Sequence, residues 1–243
     1  MKIEKRNFKN YLKFKHNTKH VHQVIYNSFL KKEKNQKNKT LIDIGCGGGS
    51  FIKFLYQKTK FNLKGTETDK GQLEYCKKNY KFANFFYDDV SKSPNKRTKN
   101  SANIICACGV NQIFDDHDKI IKNELSRLKR GGKLIIQGIF CSNAVDVLLK
   151  YKLFKKRNIK KKNQPFIAGW NLFSIQSTKD ILLKNGARSV KLIKVKFPIS
   201  LKVKQNKMDP IRSFTIKKNS KEVKFKNILP INQDNYIISA IKK

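Results

Sequence analysis

The chain has 243 residues, of which 39% are hydrophobic, enough for one large α/β domain with an ordinary core. Its 55 lysines and arginines outweigh 17 aspartates and glutamates, giving a net charge of +38. No apolar run approaches the roughly 18 residues of a membrane span, and the charged residues 1–10 lack the apolar region of a secretory signal, so a soluble, cytoplasmic protein is expected.

The charge surplus admits two readings. It attracts polyanions, and phosphate-backbone binding would use it. The lysines are nevertheless spread over nearly every segment, and arginine, the better fork for bases and phosphates, is scarce. A lysine-rich background composition accounts for the same numbers. The five cysteines, Cys46, Cys76, Cys106, Cys108 and Cys141, are odd in number and lack paired metal-ligand spacing. Reduced, mostly buried thiols and no metal site are expected.

Residues 1–39 are basic. The periodicity predicts a helix over 11–30 with Val21, Val24, Ile25, Ser28 and Phe29 on one face, placed to lie as a lid across the mouth of a site, and a polar linker over 31–39. His16, His20 and His22 lie in or beside this helix; the last two would point to different sides, so surface histidines are expected.

Residues 40–51 set the frame for the remaining segments. Leu41, Ile42 and Ile44 form a buried strand, and Gly45, Gly47 and Gly49 form a turn that opens a helix over 51–58. Glycine accepts positive φ and lets a ligand approach the backbone, while the helix amides point into the gap. A second strand, 62–66, ends at Glu67 and leads into a helix over 70–79, completing a βαβ unit. An acidic residue there falls where a ribose hydroxyl pair is bonded; Asp69 competes with Glu67 for that role or caps the helix. A weak third strand, 84–87, ends in Asp88 and Asp89, where a carboxylate accepts from a purine amine or starts a turn.

The fourth strand, 103–107, closes at Cys108, Gly109, Val110 and Asn111. A helix over 117–129 comes next, stopped by Arg130-Gly131-Gly132, and then a fifth strand, 133–140. This alternation predicts a doubly wound sheet with its ligand at the switch point between the first and fourth strands. Asn111, Gln112 and His117 would lie where a second substrate sits. Residues 141–169 leave the pattern, with an apolar helix over 144–153, a basic cluster over 155–162 and Pro165; an insertion at the ligand edge is read as a lid or specificity element. A helix over 178–185, a sixth strand over 189–197 and a last strand over 235–241 complete the chain. Within a second insertion, 198–234, residues 212–217 and 222–225 flank 218–220 like a β-hairpin.

The pattern resembles the class I S-adenosylmethionine-dependent methyltransferases over about residues 40–139, and more weakly over 177–241. It rests on Leu-Ile-Asp43-Ile-Gly45-Cys-Gly47-Gly-Gly49, on Gly65-Thr-Glu67, on Asp88-Asp89-Val90, on Ile104-Ile-Cys with Gly109-Val110, and on Leu128-Lys-Arg-Gly131-Gly132-Lys-Leu-Ile. The resemblance implies a three-layer, Rossmann-like sheet of seven strands, the last antiparallel. It implies that Asp43, Gly45, Cys46, Gly47 and Gly49, with Cys108 beside them, hold the methionine end of the cofactor, Glu67 its ribose, and Asp88 or Asp89 its adenine. A dinucleotide dehydrogenase is disfavoured because its fingerprint wants glycine where Ser50 stands.

The chain departs from the family at Asn103, where many relatives carry aspartate, and near Asn111 and Gln112, where they carry histidine or tyrosine. His117 is the nearest titratable candidate for a base, with a solvent-facing helix residue as the other reading. Residues 170–175 and 209–217 look similar to bacterial methyltransferases encoded beside surface-polysaccharide genes. A small hydroxyl or amine acceptor, such as a sugar or nucleotide-sugar, is therefore expected, bound by Asn111, Gln112 and Trp170. RNA or another anionic ligand is the competing partner, and a cofactor-binding protein without chemistry a third reading.

Overall fold

β-Branched and aliphatic residues in short runs, each closed by glycine or a carboxylate, fold as strands buried on both faces. The structure, a computed structural model, describes residues 3–4, 19–152, 166–196, 215–219, 222–226 and 233–243. Its main sheet comprises β1 (Thr40–Ile44), β2 (Asn62–Glu67), β3 (Asn84–Tyr87), β4 (Ala102–Cys108), β5 (Leu128–Cys141), β6 (Ala187–Lys194) and β7 (Gln233–Lys242). The order across it is β6-β7-β5-β4-β1-β2-β3, and the two-residue strand Phe173–Ser174 adds an eighth member beside β5. β7 runs antiparallel to both neighbours, with Ile237 opposite Gln137 on one side and Ile193 on the other. The doubly wound sheet with an antiparallel last strand is as expected.

The period-2 alternation of each strand divides the core in two. Leu41, Leu63, Ile104, Cys106, Ile135 and Ile237 face one layer, formed by α1 (His20–Ile25), α2 (Ser50–Lys58) and α3 (Lys70–Asn79). Ile42, Ile44, Ile105, Ala107, Ile136 and Ile238 face the other, formed by α4 (His117–Arg127) and α5 (Ile175–Lys184). α1 continues through Tyr26–Leu30 as a wider π turn; the rest of the helix expected over 11–30 lies outside the described residues. His22 is not on the surface. Its ring packs 4.8 Å from that of Phe51, and burial together with Lys19 lowers its pKa to about 3.

The expected helix over 144–153 does not form where it is described. Asp146 Oδ1 accepts from Ser174 N at 2.6 Å and from Ser177 Oγ at 2.8 Å, so this carboxylate serves the start of α5. Asn171 Oδ1 accepts from Leu149 N, and Val147 bridges to Leu172. These distant partners hold the segment extended. Lys150–Tyr151 pairs antiparallel with Phe166–Ala168, to which Ile3–Glu4 adds a parallel strand. The basic cluster over 155–162 and Pro165 lie outside the described residues. The expected helix stop at 130–132 instead lies inside β5, where Gly131 at φ +72° accompanies a register shift against β4; α4 ends at Arg127. The hairpin forms from Thr215–Asn219 and Glu222–Lys226, with Asn219 opposite Glu222, its first strand ending at Asn219 rather than at residue 217.

Candidate active site

β1 delivers Asp43 and the glycine turn to the carboxyl end of the sheet. Gly45, Gly47 and Gly49 have φ of +62°, +53° and +75°, a left-handed region costly to residues with a side chain. A Cβ at Gly45 would stand 2.8 Å from Val110 Cγ2, and one at Gly47 would stand 3.1 Å from Gln72 Oε1. The turn therefore forms a cradle between β1, the end of β4 and α3. Cys46 N donates to Thr66 O at 2.9 Å, tying the turn to β2. Gly49 is the N-cap of α2 and supplies no side chain to bond that helix's first amides.

Glu67, at the end of β2, faces this turn. Its Oε2 accepts from Gly47 N at 2.9 Å, and its Oε1 accepts from Thr68 N at 2.7 Å and Asp69 N at 3.0 Å. Asp69 caps α3, accepting from Gln72 N at 2.9 Å, the alternative role expected for it. Asp43 is 3% exposed, and its carboxyl is pushed up to about 8 by burial first and by the Glu67 charge second. Lys19, at the start of α1, acts the other way and less than either. Two carboxylates thus share a buried place beside the turn with too little positive charge. Gln72, buried on α3, is part of the cradle that sequence reading missed.

Of the pair at the end of β3, Asp88 is a correction. Arg127 Nε donates to its Oδ2 at 2.8 Å and Nη2 to its Oδ1 at 3.0 Å, inside the protein, so the expected adenine contact is lost to an ion pair. Asp89 is half-buried and accepts from Ser91 N and Oγ through Oδ1. Asn111 and Gln112 are likewise withdrawn from the cleft, both fully buried. Asn111 Nδ2 donates to Glu124 Oε2 at 3.2 Å, and Gln112 lies so close to β5 that a Cβ at Gly138 would be 2.0 Å from its Nε2.

His117 is corrected as well. It is buried, stacks on Phe173 with centroids 4.0 Å apart, and its Nε2 lies 3.1 Å from Thr178 Oγ1. The Thr178 hydroxyl donates to Ser174 O at 2.8 Å, so it accepts from His117 Nε2–H. Burial lowers this imidazole to about 4. It is a neutral joint between α4 and α5. Cys108 remains half-buried at the end of β4, where burial and Asp43 push its thiol up. Trp170 lies against the end of β4: a Cβ at Gly109 would stand 3.3 Å from its ring. The next residue, Asn171, bonds Phe114 O and Asp115 Oδ1 through Nδ2, fixing this segment to the loop after β4.

Residues 14–192 match the model of a methyltransferase domain family. The chain belongs to that family. This methyltransferase is similar in fold to a SAM-dependent methyltransferase of Archaeoglobus fulgidus, at 15% identity and TM-score 0.56, covering 97% of this chain and 98% of that one. It is similar to a candidate histamine N-methyltransferase of Thermotoga maritima, at 19% identity and TM-score 0.50, covering 92% of each. It is also similar to a candidate sarcosine dimethylglycine methyltransferase of Galdieria sulphuraria, at 13% identity and TM-score 0.53, covering 72% of this chain and 62% of the other. No curated protein matches the chain in sequence. Among the described residues no helix is long and apolar enough to cross a membrane.

The cofactor of the methyltransferase is S-adenosyl-L-methionine, and the site fits it. A glycine cradle at an uncapped helix start suits a carboxylate, whereas Asp43 and Glu67 suit a ligand bearing an ammonium and a sulfonium.

Proposed function

We propose that this methyltransferase acts on a hydroxyl or amine of a small molecule, with a sugar or nucleotide-sugar as the acceptor class. The observation that carries this reading is a small sheet tied to the loop after β4 through Lys150 and Asp115. Ile3–Glu4, Lys150–Tyr151 and Phe166–Ala168 make a small separate sheet, and Trp170 continues from it onto Gly109. A segment held against the end of β4 in this way would suit a compact acceptor more than a long polymer. Lys150, paired with Asp115, and Lys152, whose Nζ lies 4.6 Å from the Phe166 ring centroid, are cations beside that small sheet among the described residues and would suit an acceptor phosphate. The small-amine names carried by two of the structural neighbours fit the same size class.

Asp43, Gly45, Cys46, Gly47 and Gly49, with Cys108 nearby, would hold the methionine end of the donor, Glu67 the ribose and Asp89 the adenine. The bound donor supplies an electrophilic methyl on a sulfonium, so its transfer needs alignment and dryness more than a strong base. The chain's part is to position the acceptor under Trp170 and exclude water. RNA is the second reading, favoured by the +38 charge.

Methyl transfer from labelled donor to a panel of nucleotide-sugars and to total RNA tests the assignment. Label in a nucleotide-sugar, lost in Trp170→Ala with donor affinity retained, is the expected result. Label confined to RNA, with log rate falling steeply against log salt, transfers the assignment to the second reading.

A further inference from the structure

Glu124, in the middle of α4, is fully buried and lies behind the cleft rather than in it. Its Oε2 accepts from Asn111 Nδ2 at 3.2 Å. Its Oε1 and the Asn111 Oδ1 are both buried side-chain atoms with no hydrogen-bond partner. Two orphaned acceptors on the same bonded pair cost several kcal/mol if both stay bare. One proton would remove both deficits: as an acid, Glu124 would donate through Oε1 to Asn111 Oδ1 while accepting from Asn111 Nδ2 through Oε2. Arg127, on the same helix, is the cation acting on Glu124, and the bidentate pair with Asp88 already occupies it. The polar group facing Glu124 from the turn is Asn111. Burial pushes the Glu124 carboxyl up to about 8, against the smaller opposing effects of Asn111 and Arg127.

Asn111 begins the short turn Asn111–Ile113, which joins both halves of the site. Val110, just before it, presses on Gly45 of the donor cradle, and Gly109 lies against the Trp170 ring. Gln112 O accepts from Asn171 N at 2.8 Å, fixing the neighbour of Trp170. We propose that Glu124 is a positioning residue that works as a neutral acid, closing a two-bond ring with the Asn111 amide and holding residues 109–113 against Gly45 and Trp170.

Glu124→Gln tests this, because an amide makes the same two bonds at every pH, whereas Glu124→Leu makes neither. Glu124 has a folded pKa of about 8 against an ordinary 4.5, so the folded chain keeps a proton that the unfolded chain releases. Wild-type stability is therefore full below about 4.5 and falls as pH rises to about 8. The melting temperature of Glu124→Gln should climb relative to wild type across that window and then stay level. Its affinity for S-adenosylmethionine should match wild type within about twofold at neutral pH, against a loss of about tenfold in Glu124→Leu. Infrared difference spectra should show a carboxylic-acid carbonyl band in wild type that Glu124→Gln removes and alkali abolishes. The inference rests on the donor site assigned above only for the affinity readout; the band and the pH-dependent melting read the ring itself. Absence of the band, a Gln variant that binds the donor as poorly as the Leu variant, or one that does not fold would each overturn it.

Discussion

Two buried groups of carboxylates flank the sheet, and they differ in how their charge is met. At the ends of β1 and β2, Asp43 and Glu67 lie together, and burial with mutual repulsion drives the Asp43 carboxyl up to about 8. At the end of β3, Asp88 receives two hydrogen bonds from Arg127, whose remaining donors reach the carbonyls of Asn123, Asp89 and Lys92. The first group has no cation bonded to it among the described residues, and its Asp43 carboxyl is held towards the neutral form beside an open glycine cradle. The second is closed on itself. Position at a strand end is the same in both, so the difference between ligand site and scaffold lies in where charge is left uncompensated.

That contrast is broken most directly at the cradle. Gly47→Val places a β-branched side chain at φ +53° and directs its Cβ to 3.1 Å from Gln72 Oε1. Calorimetry should show S-adenosylmethionine affinity falling by at least about 100-fold, about 2.7 kcal/mol. Unchanged affinity would remove the donor from this turn. On the closed side, Arg127→Met strands the Asp88 carboxylate in the core and should cost about 3–5 kcal/mol of stability. Denaturant unfolding measures it, and the donor affinity of whatever fraction remains folded should be unchanged. A variant that keeps its stability but loses the donor would place Asp88 in the site after all.

The same contrast explains what the sequence showed and what it hid. The run Leu41, Ile42 and Ile44 with glycines at 45, 47 and 49 is local information, since each glycine's positive φ is a property of its own residue. The doubly wound sheet, with β1 beside β4, followed from alternation of strand and helix, whereas the antiparallel β7 was implied only by the family resemblance. Asp88 looked equal to Glu67 because its distinguishing partner is 39 residues away. Asn111, Gln112 and His117 are polar residues just past a strand at the ligand edge, and only packing against Glu124, β5 and Phe173 turns them inward. Residues 144–152 failed as a helix for a related reason: Asp146 and Leu149 find their partners at Ser174, Ser177 and Asn171. Each of these errors turns on a contact between residues distant in sequence, which no local pattern encodes.

Asp43→Asn sharpens the contrast at intermediate size. The folded pKa of Asp43 is about 8 against an ordinary 3.8, so the wild type carries a penalty that is absent below about 3.8 and grows as pH rises to about 8. Without donor, the Asn variant should be the more stable protein at pH 8, by on the order of a few kcal/mol, and the gap should close on acidification. With donor, the order should narrow or reverse, because the ammonium loses its carboxylate. Thermal melts with and without S-adenosylmethionine across this range check both halves. A gap indifferent to pH would show that Asp43 is ionised in the folded protein.

The smallest effect is expected at His117, which belongs to neither acid group. Phenylalanine in its place keeps the stacking on Phe173 and loses one hydrogen bond to Thr178, whose hydroxyl still bonds Ser174 O. The cost at neutral pH should be about 1 kcal/mol. The imidazole sits at about 4 against an ordinary 6.5, so its stabilising contribution is complete above 6.5 and is lost as pH falls to about 4, where the unfolded chain binds the proton first. His117→Phe should therefore resist acid better than wild type over that window while binding the donor equally well. Once an acceptor is in hand, its turnover against pH should overlay the wild-type profile, since a ring already neutral above about 4 and bonded to Thr178 has no proton to exchange with the cleft. A profile that loses a limb in the variant would return His117 to the chemistry.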